Sequence, residues 1–132
     1  MTRVEQAYEL AKKTRNNAYA KYSNFFVGSA IAIKGNEKLY GGCNVENISF
    51  GATICAERNA ILNAVAENGK IEIEFIVVCV DTNPVTVPCG MCLQVISEFC
   101  SAETPIYLGD LNGIQKTMKF NELLPAPFDT LD

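Results

Sequence analysis

The order of the predicted elements indicates an α/β protein, a three-layer α/β/α sandwich around a mixed sheet. Three observations carry this prediction: a helical stretch opens the chain, two strands joined by a tight turn follow, and later strands alternate with helices. Hairpins supply antiparallel strand pairs and strand–helix–strand units supply parallel ones, so both are expected. The 132 residues contain no internal repeat or linker-like stretch, which favours a single domain over 1–132.

The first part of the chain is predicted to form a helix and a hairpin. Apolar residues recur at helical spacing near the start and predict a helix from about Thr2 to near Asn17. The stretches VGSAIAIK and KLYGGCNV are separated by Gly35-Asn36, so they predict two antiparallel strands around a short turn.

Strands and helices are predicted to alternate after the hairpin. A helix is expected from near Cys55 to Asn68-Gly69, because glycine is typical of a helix end. The continuous apolar run FIVVCV predicts a strand that is covered on both faces. A second inner helix is expected to start near Cys89 and to continue through Phe99.

Two more strands and a short helix are predicted to complete the chain. The stretches PIYLG and IQKTMKF lie around a Gly/Asn turn and predict the strands. Asn121 is suited to cap a helix from Asn121 to Leu124, which Pro125 would end.

Charge and hydropathy argue against several classes of partner. The net charge is −4, and the nearest basic group, Lys12, Lys13 and Arg15, reads as a solvated helix face, so we expect no nucleic-acid partner. The N-terminal stretch lacks the apolar core of a signal peptide, and no apolar run reaches the roughly 18 residues of a membrane span. We therefore expect a cytoplasmic protein that acts on a small neutral substrate.

The cysteines are the residues that point most directly to chemistry. Cytosolic thiols stay reduced, so the six cysteines are better read as metal ligands or core residues than as three disulfides. Cys89 and Cys92, in PCGMC, share one helix face, and on their own they fit a redox dithiol, half of a zinc site or two structural thiols.

A third cysteine upstream favours the zinc interpretation. Cys55 also stands at a predicted helix start, where free N–H groups favour the thiolate, and the chain has no histidine to serve as a ligand. Two adjacent helices can aim Cys55, Cys89 and Cys92 at one point, and three protein ligands with one open position are typical of catalytic zinc. Glu57, two residues after Cys55, is then best used as a proton carrier.

The two cysteine motifs resemble those of the zinc-dependent nucleoside deaminases, in which CAE is followed by PCxxC. The stretches YSNFFVGSA, GCNVEN, CAERNA, PCGMCLQVISE and ELLP resemble, in the same order, stretches of the short cytidine deaminases. The resemblance spans roughly residues 18 to 128. It implies a hydrolytic deamination of cytidine and 2′-deoxycytidine to the uridines, with release of ammonia, in pyrimidine salvage.

The resemblance also implies roles for individual residues. One zinc per chain would be held by Cys55, Cys89 and Cys92, and Glu57 would move protons between water, the base and the leaving ammonia. Asn44 and Glu46 match positions that hydrogen-bond the sugar hydroxyls. Phe25 matches an aromatic that packs on the pyrimidine, and its neighbour Phe26 should point the other way. The backbone amide of Ala56 is expected to contact the base.

Three further positions bear on the site or on assembly. Phe128 matches an aromatic that enters a neighbouring subunit's site in the family, so a homotetramer is implied. The tail reads LLPAPF where LLPGAF is usual, and Leu93 stands where the family commonly has arginine. Arg58, one turn after Cys55, matches arginines that draw charge off the zinc thiolates. The other cysteines, Cys43, Cys79 and Cys100, are expected to be inert.

Three rival functions remain in view. A blasticidin-type deaminase is also short and built on three cysteines, although CNVEN argues for a ribose. A polynucleotide-editing deaminase is disfavoured by the acidic charge, and the rival from another class is a non-catalytic zinc or dithiol protein.

Overall fold

The computed structural model describes residues 1–131. Its elements, in chain order, are α1 (Arg3–Arg15), β1 (Gly28–Ile33), β2 (Leu39–Cys43), a 3-10 turn (Phe50–Ala52), α2 (Ala56–Asn68), β3 (Ile73–Cys79), α3 (Gly90–Ser97), β4 (Pro105–Asp110), β5 (Gly113–Lys119) and α4 (Phe120–Leu123). None of the helices in residues 1–131 combines the length and the apolar character needed to cross a membrane.

The strands form one mixed sheet in the order β2-β1-β3-β4-β5. β3 and β4 pair in parallel, with Ile76 opposite Ile106, whereas the other neighbouring strands pair antiparallel. The hairpin therefore supplies one antiparallel edge, and the unit β3–α3–β4 supplies the parallel pair, as the element order predicts.

Two hydrophobic clusters cover the two faces of the sheet and confirm the three-layer sandwich. α1 covers one face, where Ala7 and Ala11 are fully buried against Phe75 and Val77 of β3. α2 and α3 cover the other face with the residues Ala60, Ile61, Leu93 and Ile96, packed against Ile76 and Val78. Successive β3 side chains point to opposite faces, so the whole run FIVVCV is buried, as predicted for a strand covered on both sides.

α2 and α3 lie on the same face and begin at the same edge of the sheet. α2 precedes β3 and α3 follows it, so each helix runs antiparallel to that strand and starts near its carboxyl end. Val78 and Val80, from the end of β3, accordingly line the same cavity as Cys55 and Cys89. This edge brings together the two helix starts that carry the predicted zinc ligands.

Some predicted boundaries were wrong. In the first half of the chain α1 ends at Arg15 rather than near Asn17, and β2 is shorter than KLYGGCNV. α3 ends at Ser97, with Glu98 as its C-cap, so the helix does not extend through Phe99. Strand β5 stops at Lys119, and Phe120 opens α4 because its side chain is drawn into the core, where it is 4% exposed. Burial of one aromatic side chain thus decides where the strand ends.

Asn121 does not cap the last helix, which is a correction to the prediction. Lys119 is the N-cap, and its backbone N–H donates to the Glu122 carboxylate at 2.8 Å. The helix starts at Phe120 and ends at Leu123, so Asn121 lies inside its first turn and Leu124 is the C-cap.

Candidate metal centre and active site

Three thiols converge at the edge where α2 and α3 begin. Cys55 is the N-cap of α2, Cys89 is the N-cap of α3, and Cys92 lies in the first turn of α3. Their three sulfur atoms all lie within 4.8 Å of one another. The structure therefore brings together the three cysteines that the sequence nominates.

Hydrogen bonds among the thiols favour a thiolate at Cys55 and disfavour a second one at Cys92. The pKa of Cys55 falls to about 5 because the Cys92 thiol donates a hydrogen bond to it, with Arg58 and Cys89 acting in the same direction against burial. The same contact raises the pKa of Cys92, and burial adds to that rise. One thiolate is thus shared among neighbouring sulfurs, the state expected of ligands that give up further protons when a metal binds.

The donor set suits zinc. All three donors are sulfur, which favours a soft or borderline metal, and no histidine exists in the chain to complete a different set. Cys89 is exposed while Cys92 is buried, so the group is open on one side. Three protein ligands with one accessible side are the arrangement of catalytic rather than structural zinc.

Glu57 lies beside this group in the first turn of α2. Its side chain is buried, with the residue only 4% exposed, inside an apolar surrounding that includes Ala56 and Ala60. Burial raises its pKa to about 7, with the nearby charge of Cys55 adding to the rise. A carboxyl group whose pKa lies near neutrality can both accept and release a proton at physiological pH.

Arg58 faces the thiols, one turn after Cys55, as its sequence spacing predicts. Its Nη2 donates to the Thr53 carbonyl at 3.2 Å and lies 3.8 Å from the Cys55 sulfur. Its Nε is buried without a hydrogen-bond partner among the described residues. The guanidinium therefore brings a fixed positive charge to the back of the sulfur cluster.

A cavity of about 290 Å³ opens next to the three thiols. Most of the residues predicted for the site line it, namely Phe25, Asn44, Glu46, Cys55, Ala56, Glu57 and Cys89. The remaining wall comes from Ser23, Val27, Thr53, Val78, Val80, Thr86 and Val87. The cavity is therefore lined by both apolar side chains and polar groups.

The two predicted ribose residues both hydrogen-bond the segment before β1. The Asn44 amide accepts from the Val27 N–H at 2.9 Å and donates to the Phe25 carbonyl at 2.7 Å. The Glu46 carboxylate accepts from the backbone N–H groups of Tyr22 and Ser23 and from the Ser23 hydroxyl. These bonds hold both side chains at the cavity wall.

The two neighbouring phenylalanines separate as expected for an extended segment. Phe25 lines the cavity and is 37% exposed, so its ring is available to a planar ligand. Phe26 faces α1, where the Arg15 guanidinium stands 5.9 Å from the centre of its ring.

Phe128 lies outside the cavity of its own chain. It is 65% exposed, and its backbone exchanges hydrogen bonds of 2.8 and 3.3 Å with the Gln94 side chain on α3. Leu93 stands where the family commonly has arginine. It is 5% exposed and packs in the core, where the charge of an arginine would be costly to bury without a negatively charged partner.

Sequence reasoning overlooked several residues of the wall. Ser23 lies inside the quoted stretch YSNFFVGSA, and its hydroxyl beside two aromatics was the available signal. Thr86 and Val87 come from the loop between β3 and α3 and have no motif that could have marked them. The three cysteines expected to be inert, Cys43, Cys79 and Cys100, all have their thiol pKa raised by burial.

The chain matches known proteins along almost its whole length. A family described as the cytidine and deoxycytidylate deaminase zinc-binding region matches residues 1–108. The chain belongs to the cytidine deaminase family. A cytidine deaminase from Halalkalibacterium halodurans is 42% identical over 122 residues, which cover 92% of this chain and 91% of that protein.

Structural comparison agrees with this family. The cytidine deaminase from Burkholderia pseudomallei superposes with a TM-score of 0.88 at 37% identity and covers 97% of this chain and 100% of that one. A blasticidin-S deaminase from Bacillus cereus is also similar, at 33% identity over 110 residues, which are 77% of this chain and 76% of that protein. The zinc-binding family and the three-cysteine cluster together give one zinc per chain as the cofactor.

We predict that Cys55→Ser, Cys89→Ser and Cys92→Ser each lower the zinc content well below one per chain, because each removes one of three converging thiolates. Elemental analysis of the purified protein measures this directly. Cys43→Ser and Cys100→Ser are the matched controls and should retain full zinc. Full zinc after loss of one of the three converging thiols would place the metal elsewhere.

Arg58→Gln should weaken zinc retention, because the thiolates lose the cation that offsets their charge. We expect zinc transfer to a competing chelator to occur at a concentration several-fold lower than for the wild type. Lys70→Gln, which removes an exposed cation away from the cavity, is the control. Identical chelator titrations for Arg58→Gln and the wild type would show that Arg58 does not act on this metal.

Proposed function

We propose that this protein hydrolyses the amino group of cytidine and 2′-deoxycytidine, producing uridine or 2′-deoxyuridine and ammonia. The observation that supports this best is one cavity lined by Cys55 and Cys89 of the three-thiol cluster, by the buried Glu57 and by the polar groups Asn44 and Glu46. Such a cavity brings together a metal site, a proton carrier and hydrogen-bonding groups that suit a sugar.

Glu57 is proposed to move the protons of the reaction. Held by Cys55, Cys89 and Cys92, zinc supplies the Lewis acidity that activates water. The Glu57 carboxylate would accept a proton from water and give it to ring N3 while the hydroxide adds to C4 of the base. Glu57 would then carry the proton of the new C4 hydroxyl to the amino group, which leaves as ammonia when the C4–N bond breaks. A pKa near 7 suits this task, because both protonation states are accessible at each step.

The rest of the cavity is proposed to hold the nucleoside. The Phe25 ring can pack on the pyrimidine, the Ala56 N–H at the start of α2 can contact the base, and Asn44 and Glu46 can bond the sugar hydroxyls. No lysine or arginine is among the described residues that line this cavity. A neutral nucleoside therefore suits the wall better than a phosphorylated one.

The assembly and the setting of the enzyme are also proposals. We infer a homotetramer in which Phe128 of one chain reaches a neighbour's cavity, supported by its exposure and by other exposed apolar side chains, Ile48, Phe50 and Met91. We further propose one catalytic domain over 1–132, a cytoplasmic location, where thiolate ligands stay reduced, and a role in pyrimidine salvage.

The similarity to a blasticidin-S deaminase keeps a second substrate in view. The observation that favours cytidine is the pair Asn44 and Glu46 at the cavity wall, which suits the vicinal hydroxyls of a ribose. The deciding experiment follows the ultraviolet absorbance of cytidine and, separately, of blasticidin S in the presence of the zinc-loaded protein. Loss of cytidine that a chelator abolishes supports the proposal; turnover of blasticidin S alone supports the rival, and turnover of neither supports a non-catalytic zinc protein.

Glu57→Gln should retain zinc and the fold but lose activity on cytidine by at least about 100-fold, the usual contribution of a positioned acid–base group. The amide has nearly the same shape but cannot carry a proton. Glu37→Gln, at an exposed position away from the cavity, is the control and should keep wild-type kinetics. Activity within about tenfold of the wild type, about 1.4 kcal/mol of barrier, would exclude Glu57 as the proton carrier.

Phe128→Ala should raise the KM for cytidine several-fold while the oligomer stays intact, because the proposed neighbour's pocket loses apolar contact with the substrate. Steady-state kinetics and size-exclusion chromatography with light scattering measure the two effects. Leu131→Ala, at another exposed tail position, is the control. Unchanged KM in an intact oligomer would mean that the tail does not reach a site.

A further inference from the structure

Ser23 lies in the wall of the proposed substrate site, bonded to Glu46 and to the backbone of Phe25. It lines the cavity together with Phe25 and Glu46, yet neither the metal nor the proton transfer uses it. Its stretch, YSNFF, connects α1 to β1 and is irregular, so its side chains are placed by individual hydrogen bonds rather than by a helix or a strand.

Three donors from this stretch hold the Glu46 carboxylate. Oε1 accepts from the N–H groups of Tyr22 and Ser23 at 2.9 and 3.1 Å, and Oε2 accepts from the Ser23 hydroxyl. An ionised carboxylate has about four acceptor positions. Donors among residues 1–131 therefore occupy three, and the fourth is on Oε2, the oxygen that Ser23 orients.

The Ser23 hydroxyl is itself oriented by its other partner. The Phe25 N–H donates to Ser23 Oγ at 3.0 Å, so the single hydroxyl hydrogen is left to point at Glu46. Asn24, between them, has a φ of 59°, a left-handed conformation that asparagine tolerates better than most residues. This turn brings the Phe25 N–H back onto the serine side chain.

Asn44, the other residue proposed to bind the sugar, hydrogen-bonds the backbone at Phe25 and Val27. The Asn44 amide donates to the Phe25 carbonyl at 2.7 Å and accepts from the Val27 N–H at 2.9 Å. The backbone N–H and C=O of Phe25 are thus tied, through Ser23 and Asn44, to the two side chains proposed to bind the sugar. The ring that would meet the base and the groups that would meet the sugar form one hydrogen-bonded unit.

We propose that Ser23 is a positioning residue that presents the free acceptor of Glu46 to a sugar hydroxyl and sets its place relative to the Phe25 ring. This inference rests on the proposed function. It adds a residue on which the preference for nucleosides with sugar hydroxyls over those without them depends. It acts through Glu46, so its loss weakens binding of the sugar and leaves the proton transfer at Glu57 intact.

The test compares Ser23→Ala with the wild type, both zinc-loaded, on cytidine and on 2′,3′-dideoxycytidine, which lacks both hydroxyls. We expect the KM for cytidine to rise about tenfold with kcat within about twofold, equivalent to about 1.4 kcal/mol of binding. On dideoxycytidine we expect kcat/KM to change less than about twofold. Ser23→Thr, which keeps the hydroxyl, should restore most of the affinity for cytidine.

Two further arms complete the design. Ser101→Ala is the matched control, because it removes an exposed serine hydroxyl bonded to Thr104, in a loop that does not line the cavity. A double variant, Ser23→Ala with Glu46→Gln, should lose no more affinity for cytidine than Glu46→Gln alone, because Ser23 acts through that carboxylate.

Each outcome decides the question. Equal losses on cytidine and dideoxycytidine, or additive losses in the double variant, would overturn the proposal and make Ser23 a support of the loop only. If Ser23→Ala does not fold, the kinetics of Ser23→Thr and the binding of uridine and 2′,3′-dideoxyuridine to Glu46→Gln decide, since the proposal requires a loss for uridine alone. If the wild type neither turns over cytidine nor binds uridine, the proposed function itself fails.

Discussion

Convergence of three sulfur atoms from two helix starts is the constraint on which the rest of the molecule depends. α2 and α3 must begin at the same edge and lie side by side, which requires both to pack on one face of the sheet. Small residues permit the close packing of α2: Ala56 and Ala60 are fully buried, and a Cβ added at Gly42 of β2 would lie less than 3.0 Å from three backbone atoms of that helix. The metal site is therefore supported by backbone-to-backbone contact as well as by side chains.

The electrostatics of the site follow from that packing. Burial beside α3 raises the pKa of Glu57 to about 7, while the shared hydrogen bonds among the thiols lower that of Cys55 to about 5. The pKa values of a carboxyl group and a thiol two residues apart thus move in opposite directions, because burial dominates at Glu57 and hydrogen bonds dominate at Cys55. Arg58, whose Nη2 lies 3.8 Å from the Cys55 sulfur, stabilises the negative charge of that thiolate.

Most of the fold and the metal site could be predicted from local sequence patterns, whereas the remaining features depend on tertiary contacts. Helical spacing, the Gly35-Asn36 turn and the apolar run of β3 are local, so the corresponding elements were predictable. The end of β5 was not, since it depends on the burial of Phe120 by distant residues. The spacing of Cys89 and Cys92 is enough to place them on one helix face. The bonds from Ser23 to Glu46 join positions far apart in the chain, so no repeating sequence pattern indicates them.

Cys55 and Cys89 occupy N-cap positions, where serine, threonine, aspartate and asparagine are the stabilising choices. Cys55 makes no side-chain capping bond, and the Cys89 sulfur caps α3 only through the weak acceptor that a thiol offers, taking the Cys92 N–H at 3.4 Å. A better cap is worth about 1 kcal/mol, so each helix gives up local stability to present a thiol. Stability and metal binding thus favour different residues at two positions, and zinc, by binding the folded chain more tightly than the unfolded one, offsets the stability lost at the caps.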